Sequence, residues 1–139
     1  MNFFMQNNNE QHEHVYFVNQ LYRDFLLPTI LGEDNEAILY WGGKRIARKY
    51  DLLSFEDVVS FFATTEFGSL EKTRSHHSEE IFKLKGQNVT DRINSGSREF
   101  SLEAGIIAEA IEKETGRTTE CEIKVDERKK EVKLIAKFD

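Results

Sequence analysis

The chain has 139 residues, 39% of them hydrophobic and 12% aromatic, with a formal net charge of -6 at pH 7. That length suits one domain able to bury roughly 68% of the surface its unfolded form exposes, and so apolar a composition excludes a solvated, disordered polymer. The acidic balance argues against nucleic acid or an anionic membrane as the main partner, because both are held by a basic face.

The opening MNFFMQNNNEQ has neither a positive charge nor an apolar run, so it does not read as a secretory signal. No stretch approaches the roughly 18 apolar residues of a membrane span. The single cysteine, Cys121, excludes an internal disulfide framework and fits a reducing compartment, so a cytoplasmic protein is expected. Eleven phenylalanines imply a bulky core or an apolar groove.

Residues 1–9 are polar and Asn-rich and are expected to form a flexible arm, leaving 10–139 as one domain. From Glu10, Val15, Val18, Tyr22 and Phe25 recur at helical spacing, with Phe17 and Leu21 widening the stripe. Pro28 should end or kink this helix, since proline lacks an amide hydrogen. A second helix is predicted over 35–50, with Asp34 as N-cap, Glu33 and Glu36 at its positive end, and Lys44, Arg45, Arg48 and Lys49 at its negative end. Two adjacent glycines, Gly42 and Gly43, interrupt it. Each costs about 0.8–1 kcal/mol against Ala, which is offset if another backbone approaches where a Cβ is missing. Ser54 and Asp57 then form an approximate capping box, with Leu53 and Val58 as its staple, and Gly68 ends that helix.

Beyond Gly68 the period changes to two. Leu70–Ser75 and Glu79–Lys85 are predicted strands around His76, His77 and Ser78. Asn88–Asn94 has room for one or two helical turns. Ser101 is expected to cap LEAGIIAEAIEKE, with Gly116 at its C′ position. Cys121, Ile123 and Val125, then Val132, Leu134, Ala136 and Phe138, alternate with mostly charged residues around a turn at 127–130, a hairpin with one buried face. Helices followed by antiparallel pairs imply an α+β domain, with helices on one face of a four-stranded antiparallel sheet.

No constellation spells out a reaction. His12 and His14 are two apart on a helix, His76 and His77 adjoin in a turn, and neither spacing makes a metal site. Cys121 lies on the apolar side of its strand and reads as a small buried hydrophobe rather than a nucleophile. Gly42–Gly43–Lys44 sits inside a helical pattern, not between strand and helix, so it is no phosphate loop. No carboxylate pair has surroundings that would separate two pKa values. No cofactor, metal or catalytic residue is assigned, and a non-enzymatic protein is expected.

LLPTILG and ILYWGGKRIARKY within Leu26–Tyr50, Phe67–Gly68–Ser69–Leu70, SLEAGIIAEAI at 101–111 and the terminal VKLIAKFD occur in an order that resembles the bacterial family called domain of unknown function 2507, the YslB-like proteins. That family is similar to a superfamily shared by small subunits of trafficking-protein-particle (TRAPP) complexes, 4-vinyl-reductase domains and haem-based nitric-oxide sensors. The resemblance implies helices over a four-stranded antiparallel sheet, and either a helix-mediated dimer or a pocket for a small hydrophobic ligand. The haem sensors' Tyr-x-Ser-x-Arg motif is not found, and one cysteine cannot supply a metal cluster, so neither group carries over.

Two functions are therefore expected in order. The first is a homodimerising interaction module using the helices at 10–31 and 35–50, with Tyr40, Trp41, Gly42, Gly43, Lys44 and Arg48 as candidate interface. The alternative is a sensor or carrier of a small apolar ligand held between sheet and helices by Phe62 and Phe82.

Overall fold

A computed structural model describes the backbone of residues 3–139, and side chains at residue 10 and from residue 12 onward. The expected flexible arm over 1–9 lies outside the described residues at positions 1 and 2, and its side chains lie outside them up to position 9. The helices are α1 (Phe3–Gln20), α2 (Leu27–Leu31), α3 (Asn35–Lys49), α4 (Phe55–Thr64), α5 (Gln87–Asn94) and α6 (Ser101–Thr115). The strands are β1 (Ser69–Ser75), β2 (Glu79–Lys85), β3 (Thr119–Asp126) and β4 (Glu131–Phe138).

The four strands form one antiparallel sheet in the order β1-β2-β4-β3. The two hairpins are joined by the β2–β4 pairing, Phe82 opposite Leu134 and Leu84 opposite Val132. Alternation then carries Leu70, Phe82, Leu84, Val132, Leu134 and Ala136 into the core, while mostly charged residues take the other face, with Ile81 opposite Ile135 among them. β1, at the edge, has a register shift between Lys72 and Arg74, an irregularity of the kind that discourages pairing with another chain.

Against the inner face lie α6 and α4, whose Phe62, Ile107 and Ile111 close the core. α6 is apolar nearly all round and is buried from Ser101 to Ile111 except for the half-buried Leu102, the pattern of a helix covered on several sides. α3 leans on its far side. The centre of the molecule is therefore α6, with α3 as an outer layer.

The α3–α6 crossing depends on a glycine pair. A methyl on Gly43 would strike the Leu102 carbonyl oxygen, and would lie 2.8 Å from the Ile106 nitrogen and 3.0 Å from the Gly105 Cα. A methyl on Gly105 would strike the Tyr40 carbonyl oxygen. Only residues without a Cβ let the two backbones meet. Gly42 differs from the expectation for the pair, because its missing Cβ would make an ordinary 3.8 Å contact with a Leu102 methyl.

The caps divide in the same way. Ser54 accepts from the Asp57 amide at 3.2 Å, and Asp57 accepts from the Leu53 amide at 2.9 Å, the expected box shifted by one residue. Asp34 stands at the N-cap of α3 but makes no side-chain capping bond, because a 3-10 turn over Gly32–Asp34 leads into the helix. Ser101 is not the cap of α6. It is the first helical residue, and Glu99 accepts from its amide at 2.6 Å.

Candidate functional site

Pro28 neither ends nor simply kinks the first helix. Its ring would clash with the carbonyl four residues back and it donates no hydrogen bond, and the chain accommodates it with a π-helical turn over Leu21–Leu26, in which the Leu27 amide donates to the Tyr22 carbonyl, five residues back. The helical path continues to Leu31. The wider turn also places Arg23 and Asp24 side by side facing the domain, and π turns often mark functional positions.

Arg23 is buried and donates from Nη2 to Glu99 at 2.8 Å and to Glu103 at 2.7 Å. Asp24 accepts from Arg92 Nη2 at 2.9 Å and Nε at 3.1 Å, and from Ser97 Oγ at 2.7 Å. Arg92 is only 1% exposed, lies over the Phe100 ring and closes the ring of charges 3.5 Å from Glu103. Two guanidinium groups thus meet three carboxylates. Burial alone would push the Glu103 carboxyl up, yet the Arg23 and Arg92 charges prevail and hold it below the ordinary value. Burial would likewise lower the Arg23 guanidinium, and Glu103 with Glu99 holds it above its ordinary value. The cluster is an ionic latch between the first helical segment and the start of α6.

The latch inverts the segment. Tyr16, Asn19, Arg23 and Asp24 turn toward the domain. The apolar stripe predicted from Val15 to Phe25 faces outward instead: Phe17 and Phe25 are each 64% exposed, Ile30 is 66% exposed, and Leu21 and Tyr22 are also open. The spacing of four carries 17, 21 and 25 along one side.

The expected interface on α3 separates in the fold. Trp41 is 61% exposed beside Ile38, with Arg45 over its ring. Gly43 is occupied by α6. Tyr40 is half-buried; its hydroxyl donates to Glu120 and accepts from the Cys121 amide at 3.0 Å, and burial with the Glu120 bond raises its pKa. Lys44 meets Glu120 at 3.2 Å and Arg48 meets the buried Glu109 at 3.0 Å. Five of the six residues therefore line contacts within the chain, and Trp41 keeps an open apolar face.

Phe62 and Phe82 are both fully buried. Phe82 stacks on Phe55 at 5.3 Å and borders an open pocket of about 550 Å3 with Lys83, Lys124 and Glu131, and Phe62, edge-on to Phe67, borders a pocket of about 280 Å3 beneath α1. Burial pushes the Cys121 thiol up, which keeps it protonated and unreactive. His12 pairs with Glu66 at 2.5 Å, while His76 and His77 sit exposed in their turn. Among the described residues no group of three or more His, Cys, Asp or Glu side chains gathers as a metal site, and no helix is long and apolar enough to cross a membrane.

The family model of proteins of unknown function, DUF2507, matches residues 16–137, which takes in the π turn, the latch, the glycine crossing and the sheet. The chain belongs to that family. A relative, the uncharacterized protein YslB of Bacillus subtilis (strain 168), is 34% identical over 124 residues, 88% of this chain and 84% of the relative. Among solved structures, the phenol-responsive sensory domain of the transcription activator PoxR, with phenol, covers 90% of this chain and 74% of its own at TM-score 0.60 and 12% identity, a shared fold. A trafficking protein particle complex subunit 3 from Naegleria fowleri, covalently bound to palmitic acid, aligns over 96% of both chains at TM-score 0.49 and 16% identity. This DUF2507 member thus has the α+β architecture expected of its sequence, helices on one face of a four-stranded antiparallel sheet.

Sequence reasoning missed the latch. Arg and Glu are read by default as solvated, and the π turn has no periodic signature. One signal was present: Glu103 and Glu109 stand in LEAGIIAEAI, a run too apolar to leave a wet face, so both had to be buried and paired.

Proposed function

We propose that this protein is a non-enzymatic interaction module that homodimerises through the outward face of α1–α2, and that it works in the cytoplasm, where a single buried thiol stays reduced. The observation that carries the reading is the inverted amphipathicity of that segment. A helix folded for a monomer buries its apolar side and leaves its charges wet; here Arg23 is buried and Asp24 half-buried while Phe17, Leu21, Phe25 and Ile30 are open. With Tyr22 these side chains leave on the order of 500 Å2 of apolar and aromatic surface, taking roughly 150–250 Å2 for a large side chain. That is toward the upper end of the roughly 300–600 Å2 of the largest apolar patch on a typical monomer, a patch that is often functional, and is most of the roughly 800 Å2 each partner gives to a standard interface.

A second copy fits this face better than a charged partner. The stripe Phe17, Val18, Leu21, Tyr22 and Phe25 has no side chain charged at neutral pH with which to select a partner. A neutral, self-complementary surface suits a two-fold contact, in which the same patch serves both subunits. Trp41 and Ile38 add open apolar surface on α3.

Light scattering at micromolar concentration is expected to give twice the chain mass for the parent, and Phe17→Glu with Phe25→Glu is expected to give a monomer with unchanged far-ultraviolet circular dichroism. A parent that stays monomeric up to 100 micromolar, on the order of a very weak association, defeats the reading; so does a doubly charged variant that remains dimeric.

A second reading, a carrier or sensor of a small apolar molecule, is favoured by the pocket that Phe62 borders beneath α1. The sensory domain sharing this fold was solved with phenol.

A further inference from the structure

On the face of the sheet turned away from the helices, Lys83 of β2, Lys133 of β4 and Lys124 of β3 stand in one row: Lys83 is directly opposite Lys133, and Lys133 directly opposite Lys124. Like charges directly opposite one another destabilise a sheet, and here two such pairs adjoin. Another row of the same face alternates instead, with Glu79 and Glu120 on either side of Lys137. Protection of a sheet edge does not explain the lysines, because β2 and β4 are the two inner strands. Solubility does not require them either, since the chain already carries a net charge of -6.

The row lines the open pocket of about 550 Å3, to which the turn between β3 and β4 adds Lys129. The carboxylates at its rim are already engaged: Glu131 meets Lys83 at 3.9 Å, Glu127 meets Arg98, and Asp126 accepts from the Lys129 amide at 3.0 Å. Lys83 also meets Glu71 at 3.6 Å. Among the described residues Lys124, Lys129 and Lys133 make no ion pair, so three ammonium groups border one concavity without a partner. Neighbouring strands lie about 4.8 Å apart, which makes the row about 10 Å long from β2 to β3. A single phosphate cannot span that row; a chain of phosphates can.

We propose that this pocket binds a triphosphate group, its successive phosphates over Lys83, Lys133 and Lys124, with Lys129 closing on it from the turn. An ammonium carries donors and no acceptor, the complement of phosphate oxygens, and each such contact is charge-assisted. A bound polyanion also turns the repulsion along the row into attraction for a common partner. The lining residues belong to the four strands and the turn between β3 and β4, so the proposal is independent of the dimer and of the pocket beneath α1.

The test titrates inorganic tripolyphosphate, ATP and sulfate into the full chain by calorimetry at pH 7 and low salt, where screening is weak. Saturable tripolyphosphate binding is expected in the parent, at least about tenfold tighter than sulfate. Lys124→Gln with Lys133→Gln is expected to weaken it by about tenfold or more. Without ligand, that double variant should unfold at the parent's temperature or above it, because the repulsion between neighbours is gone. Lys137→Gln, on the same face but in the alternating row, is expected to bind as the parent does. ATP binding as tightly as tripolyphosphate or more tightly supports a nucleotide as the source of the triphosphate, and weaker ATP binding supports a free polyphosphate. No saturable tripolyphosphate binding, sulfate as tight as tripolyphosphate, or an equal loss in Lys137→Gln overturns the proposal and leaves the lysines as a solvated surface.

Discussion

Two helical segments lean on α6 by opposite physics. α3 meets it backbone to backbone across Gly43 and Gly105, where the contact is steric and the geometry allows no Cβ. The α1–α2 segment meets it through Arg23, Asp24, Arg92, Glu99 and Glu103, where the contact is ionic and buried. A close-packed crossing stabilises by dispersion and apolar burial, and it fixes where the helices touch. A buried ion cluster contributes less net stability, because desolvation offsets most of the attraction. It does, however, let a helix bury a polar face and keep its apolar face for something else. The segment anchored by charge is the one left with Phe17, Leu21 and Phe25 in water.

The largest effect is expected at the crossing. Gly43→Leu has to displace the α6 backbone rather than a movable side chain, so a loss of more than about 4 kcal/mol in urea unfolding is expected, enough to threaten a fold worth roughly 5–15 kcal/mol. A small loss would mean that α3 can lift off α6 cheaply, and the contrast between the two attachments would disappear.

Breaking the latch comes next. Glu103→Gln removes one of three carboxylates facing two guanidinium groups, and a loss of about 3 kcal/mol is expected, as for any buried pair deprived of one partner. The effect should depend on pH. Because the Glu103 carboxyl is held below its ordinary value of 4.5 in the folded state, its contribution is present in full above the unfolded value and is lost as pH falls through the folded one. The parent should therefore lose stability on acidification below about pH 5 more steeply than Glu103→Gln does. Parallel acid unfolding curves would remove Glu103 from the ionic account.

The smallest effect separates the two adjacent glycines. Gly42→Ala should stabilise by about 0.5 kcal/mol, since a helical glycine without a close backbone neighbour gains from restriction of the unfolded chain. A clear loss at position 42 would mean that both glycines are sterically required, as the sequence suggests.

How far the fold was legible varies by element. β3 alternates throughout, β2 and β4 alternate apart from Ile81 and Ile135, and their ends fall close to where the pattern places them. Ser54 announces α4 because a capping hydroxyl acts over three residues of chain. Capping at Ser101 was misread because the Glu99 carboxylate reaches the same amide, and local pattern cannot rank two nearby acceptors. The stripe from Val15 to Phe25 was correctly seen as amphipathic. Which of its faces meets the domain depends on Glu99, Glu103 and Arg92, some seventy to eighty residues away.

By itself, the sequence determined the family, the order of helices and hairpins, the sheet's buried face and the need for a close backbone near the glycine pair, because periodicity, capping and Cβ sterics act over a few residues. Only the tertiary structure decided that α6 is the centre, that Gly43 and not Gly42 meets it, and that the first helical segment turns its charges inward. It also decided that Phe17, Leu21 and Phe25 stay open while Arg23 is buried. Those outcomes depend on which distant groups share one low-dielectric interior, where desolvation makes pairing obligatory and an unpaired group costly.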